Sequence, residues 1–66
     1  MKFEVGNVVQ FFEFADPTGP IYSLTILDYD DKKGYQILDG NNPNHAPVMA
    51  WMKRKTVEDF CWLKTE

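Results

Sequence analysis

Pro47-Val48-Met49-Ala50-Trp51-Met52-Lys53-Arg54-Lys55-Thr56-Val57-Glu58-Asp59-Phe60-Cys61-Trp62-Leu63 is the stretch that decides the fold. An apolar run stops at three cations and a Thr-Val-Glu-Asp sequence, then resumes for three residues. This is the ending of a small β-barrel: a strand, one tight helical turn and a short final strand. Thr56 and Asp59 have the spacing of a capping box, with Asp in place of the usual Glu. The apolar residues resume so soon that the turn must be short, and a single 3₁₀ turn fits.

Working outward, three more apolar segments are separated by Gly, Pro, Asn and Asp. Val8 to Phe14 is β-branched and aromatic, and therefore strand-forming. Its alternation is imperfect, with Val8, Gln10, Phe12 and Phe14 on one face and Val9, Phe11 and Glu13 on the other. A bulge near Phe11 and Phe12 would reconcile the two faces. Asp16-Pro17-Thr18-Gly19-Pro20 is a loop. Ile21 to Tyr29 has the clearest period of two, with Tyr22, Leu24 and Ile26 on one face. The charged turn Asp30 to Gly34 joins it to Tyr35–Leu38 as a hairpin. Asp39 to Pro47 is the longest loop.

The chain has 66 residues, which bounds it to a single domain spanning 1–66. A domain this small buries only about 60% of the surface of its unfolded chain, so its stability is marginal. With one cysteine, Cys61, it has no internal disulfide, and a lone thiol fits a reducing compartment. Its aromatic residues (five Phe, three Tyr and two Trp) must carry the core. No stretch approaches the roughly 20 apolar residues that span a bilayer. The N-terminus lacks the apolar region of a signal peptide. The expectation is a cytoplasmic protein without a membrane partner. A net charge of −3 argues against nonspecific polyanion binding.

Five short strands, a charged hairpin and a helical turn before the last strand resemble an SH3-like barrel. Val5-Gly6-Asn7-Val8-Val9 is similar to the V-G-[DN]-x-V entry of small bacterial SH3-like domains, and Tyr29 to Ile37 resembles their central hairpin. In size and style the chain also resembles small bacteriophage and prophage proteins with this fold. The resemblance implies an all-β, five-stranded barrel and no particular activity. The Ala-Leu-Tyr-Asp-Tyr entry and paired tryptophans of the eukaryotic peptide-binding SH3 domains are missing, so none of their groove residues carries over.

Few residues point to chemistry. Asp28, Asp30, Asp31 and Asp39 read as a solvated hairpin rim rather than as catalytic carboxylates. Cys61, between Phe60 and Trp62, reads as a buried, inert thiol. His45 lies in a polar loop and lacks the further ligands a metal needs. Neither an enzyme, a metal nor a cofactor is expected. The surplus of aromatics is more informative. If Val48, Ala50 and Met52 point inward, Met49 and Trp51 point outward, and with Phe12 or Tyr29 they would form an exposed patch for a protein partner. The opposite register would bury Met49 and Trp51, and the sequence admits both. The expected function is a protein-interaction module, monomeric or a small homo-oligomer, docking on that face or on a strand edge. The alternative is a nucleic-acid accessory protein using Lys53, Arg54 and Lys55 with adjacent aromatics.

Overall fold

A computed structural model describes residues 2–64. Its elements, in chain order, are β1 (Val8–Phe12), a 3₁₀ turn (Glu13–Ala15), β2 (Ile21–Asp30), β3 (Gly34–Asp39), β4 (Val48–Met52), α1 (Arg54–Phe60) and β5 (Trp62–Leu63). The strands form one antiparallel sheet in the order β4-β3-β2-β1-β5. Among the described residues no ladder joins β4 to β5, so the sheet is open at that seam.

The period of two in β2 becomes the core. Leu24 and Ile26 are buried with Val9 of β1 and with Tyr35 and Ile37 of β3. Phe3, Val57 and Cys61 cover them from the N-terminal segment and from α1 and its exit. At roughly 25 cal/mol per Å², burial of these apolar side chains is the main term holding the sheet to the helix.

Three local expectations need correction. The first concerns β1, which pairs with β2 in continuous register from Val8↔Thr25 to Phe12↔Ile21 and has no bulge at Phe11 or Phe12. The chain resolves the conflict of faces by leaving the strand after Phe12. Phe14 and Ala15 take left-handed backbone at φ 54° and 56°. The register shift is instead in β2, between Ile26 and Asp28.

The second and third concern the ending. The element before β5 is a seven-residue α-helix, not a 3₁₀ turn, and it starts at Arg54. Its N-cap position is Lys53, with no side-chain cap bond, so Thr56 lies inside the helix and caps nothing. The bonds Val57 N–H to Lys53 C=O and Cys61 N–H to Val57 C=O have α spacing. So do the ion pairs Arg54–Glu58 and Lys55–Asp59, each four residues apart. Those two charge spacings were the sequence signal for α rather than 3₁₀.

Gly34 sets how closely β3 meets this corner. Its φ is +91°, and a Cβ there would collide with the Met52 carbonyl oxygen and lie 2.6 Å from the Arg54 nitrogen. Only glycine combines that backbone with that approach.

Candidate functional site

Among the described residues β4 has β3 as its single strand partner, in the register Val48↔Asp39 to Met52↔Tyr35. Which backbone groups it leaves free follows from the ladder. Ile26 N–H donates to Asn7 C=O, and Ile26 C=O accepts from Gly6 N–H, so Ile26 faces β1. Its neighbour Thr25 therefore faces β3 and pairs with Leu38. Alternation then turns Ile37 and Asp39 toward β4, and their partners Ala50 and Val48 toward β3. The N–H and C=O groups of Met49 and Trp51 are left facing away from the sheet.

The side chains of β4 alternate in the same way. Met49 and Trp51 point outward, 63% and 37% exposed. The structure thus selects the register that places them on the exterior. Met49 lies across from Leu38, itself exposed, and the Lys33 ammonium sits 5.2 Å from the centre of the Trp51 ring. On the opposite face Val48, Ala50 and Met52 line a cleft of about 350 Å³, which Leu24, Ile37 and Phe60 also line. Strand β4 is therefore apolar on both faces and carries no charge.

The other two residues of the expected patch are elsewhere. Tyr29 packs edge-on against Tyr35, ring centres 5.0 Å apart, on the core side of the sheet. Phe12 packs on Trp62 at 4.8 Å, at the β1–β5 end. Met49 and Trp51 stay together because they share a strand. Phe12 and Tyr29 are separated from them by strand order and by the shift at Leu27, neither of which a linear pattern displays.

The basic run is also divided. Arg54 Nε donates to Glu58 Oε2 at 3.0 Å, and Lys55 Nζ lies 3.3 Å from Asp59. Among the described residues Lys53 has no ion-pair partner within 4.0 Å. Glu58 is the hub of this corner. It accepts from the Tyr35 hydroxyl at 2.6 Å and from Lys2 N–H at 2.9 Å as well as from Arg54. The Tyr35 bond, then Lys2 and Arg54, hold its carboxyl down at about 2. The Tyr35 hydroxyl in turn accepts from the buried Phe3 N–H at 3.1 Å. This network ties the N-terminal segment to α1 and holds the corner next to β4.

Sequence reading assigned no role to two further features. Asp39 lines the cleft, and its Oδ1 is buried with no hydrogen-bond partner among the described residues. Its Oδ2 lies 3.4 Å from His45 Nε2. The hairpin-rim reading of Asp39 is therefore corrected: it closes β3 at the mouth of an apolar cleft. Phe14 is 93% exposed on left-handed backbone, where the expected strand would have placed it on a sheet face. The signal in both cases is tertiary.

Cys61 is buried, and burial pushes its thiol up to about 11, so at neutral pH it is the un-ionised form. Among the described residues no group of three or more His, Cys, Asp and Glu side chains is placed to hold a metal. No described helix is long and apolar enough to cross a membrane. No protein-family model, curated protein or solved structure matches the chain.

Proposed function

We propose that this protein is a non-enzymatic interaction module that captures an extended segment of a protein partner by strand addition to β4. The observation that carries the reading is the state of that edge. It is five residues long, uncharged, apolar on both faces and, among the described residues, paired on one side only. Natural sheets usually blunt such an edge with charges, proline, bulges or shortness, because a bare edge pairs with other chains. An edge with none of these devices inside the strand, flanked by a cleft, is the form used for β-augmentation. Main-chain bonds supply affinity there, and pockets for alternate side chains supply specificity. A strand laid on β4 would bond the free groups of Met49 and Trp51. Its side chains would fall in turn onto the Met49–Trp51 face and over the cleft.

We further read the domain as an SH3-like barrel. Five short antiparallel strands, the charged hairpin at Asp30–Gly34 and the helical element before β5 support it. The nucleic-acid reading has less support, because Arg54 and Lys55 are engaged within α1.

The test uses proline as an edge block. Met49 N–H faces outward, so Met49→Pro removes an edge donor and leaves the β3 ladder its bonds. A random displayed dodecapeptide library is selected on the wild-type protein, with Met49→Pro as counter-target. Enriched β-branched, apolar peptides should lose at least tenfold in affinity on Met49→Pro and keep most of it as salt is raised. The melting curve of the variant must first match that of the wild type; if it does not, Trp51→Pro takes its place. Peptides that bind both proteins equally would remove β4 from the account. A steep salt dependence abolished by replacing Lys53, Arg54 and Lys55 would favour the phosphate reading.

A further inference from the structure

We propose that the Asp39 end of the cleft is a pocket for a lysine or arginine side chain of the segment docked on β4; the inference rests on that docking reading. The cleft walls are aliphatic and aromatic, from Leu24, Val48, Ala50 and Phe60. They suit a methylene stem, the part of lysine and arginine that packs on apolar surface while the charged head reaches a polar group. Asp39 is the polar group at hand. Its side chain is 16% exposed, and its Oδ1 is enclosed with no donor among the described residues. A buried carboxylate oxygen left unpaired is costly, and a charge-assisted donor removes that cost.

His45 does not meet the need. Its Nδ1 lies 2.8 Å from the Ala46 carbonyl oxygen, which can only accept, so Nδ1 carries a proton. In the neutral ring Nε2 is then a lone pair facing Asp39 Oδ2 at 3.4 Å. Only the imidazolium donates to both, and in either state Oδ1 stays without a partner. An ammonium or guanidinium entering along the cleft would supply the missing donors once the Asp39 carboxylate rotates to present Oδ1 to it.

The charges along β4 agree. Asp39 lies opposite Val48 at the start of the strand. At the other end are Lys33, over Trp51, and Lys53, directly after Met52. The edge is thus negative at one end and positive at the other, about 14 Å apart at strand rise. It fits a segment with a cation at one end, an apolar middle and an acidic residue at the other.

Fragment titration by heteronuclear NMR tests the pocket without a partner. Hexylammonium has the stem and the head; hexanoate has the same stem with the opposite charge. Hexylammonium should shift the signals of Asp39, Val48 and Ala50 at millimolar concentration, and hexanoate should bind at least fivefold more weakly. Asp39→Asn should erase that preference, and His45→Ala should keep it. Equal binding of the two probes, a preference that survives Asp39→Asn, or shifts mapping elsewhere would overturn the proposal. For peptides selected on the β4 edge, replacing the basic residue with norleucine should weaken binding about tenfold on the wild type and not on Asp39→Asn. Peptide docking without this difference leaves the strand-addition reading standing and removes the pocket. Hexylammonium binding with no loss of peptide affinity on Met49→Pro does the reverse.

Discussion

The two ends of the sheet are handled differently. β5 is two residues long and is held to β1 through Val9↔Leu63 and Gln10↔Trp62, with Lys64 N–H donating to Val8 C=O just beyond it. Trp62 also packs on Phe12. Shortness is an ordinary way of blunting an edge. β4, at the opposite end, has five apolar residues and no charge within it. One sheet thus has one edge too short to recruit a strand and one long enough to do so. The proposed strand-addition role of β4 rests on this contrast.

The strongest way to break this contrast is to detach β4. In Gly34→Ala the new Cβ would collide with the Met52 carbonyl oxygen and the Arg54 nitrogen on a backbone at φ +91°. Left-handed strain and a clash with main chain together should cost more than about 3 kcal/mol. Urea denaturation should show a domain that is largely unfolded in water, because small domains have little stability to lose. A midpoint near that of the wild type would mean that the β4–α1 corner is not as tightly packed as described.

Tyr35→Phe should come next. It removes the acceptor of the buried Phe3 N–H and one donor to Glu58 while keeping the ring in the core. Leaving a buried donor unpaired costs about 1–3 kcal/mol. The loss should appear as a lower denaturation midpoint with an unchanged slope against denaturant. A neutral result would place the hold on α1 elsewhere.

Glu58 gives the corner a pH signature. Its folded pKa, about 2, lies below the ordinary 4.5, so the unfolded chain takes up the proton first as pH falls. The stabilisation is complete above about pH 4.5 and is lost between there and about pH 2. Glu58→Gln should be less stable at pH 7 and should show a flatter stability–pH curve across that window. Parallel curves for the two proteins would separate Glu58 from the acid response.

The smallest effect, on no stability at all, sharpens the edge itself. Hydrogen exchange should find Met49 and Trp51 amides fast and the Ala50 amide slow, because of these three only Ala50 faces β3. The Lys64 amide, bonded to Val8, should be protected at the other edge. Slow exchange at Met49 would show that β4 already has a partner on its outer side.

Much of this was legible in the chain. The strands in 21–30 and 34–39 followed from alternation and turn chemistry, because side-chain period and permissive φ are local properties. The mostly β architecture and the pairing of Met49 with Trp51 on one face were readable for the same reason. The i,i+4 charges at 54–59 were readable too, and outweighed the capping box at Thr56 once α1 formed.

Other features are decided only in three dimensions. Which face of β4 is outward depends on the core taking up Met52 and on Ala50 turning to the cleft beside Ile37 and Leu24. That choice is a contest between two burial patterns in which each flips every side chain. That β4 is an edge depends on strand order, and the cleft that Asp39 lines is assembled from β3, β4, α1 and the 40–47 loop. The sequence by itself determined where strands and turns must lie, because those rest on bonds and contacts between near neighbours. The tertiary structure decided which strand edge stays open and which carboxylate oxygen lacks a donor among the described residues, because both depend on residues far apart in the chain competing for the same interior.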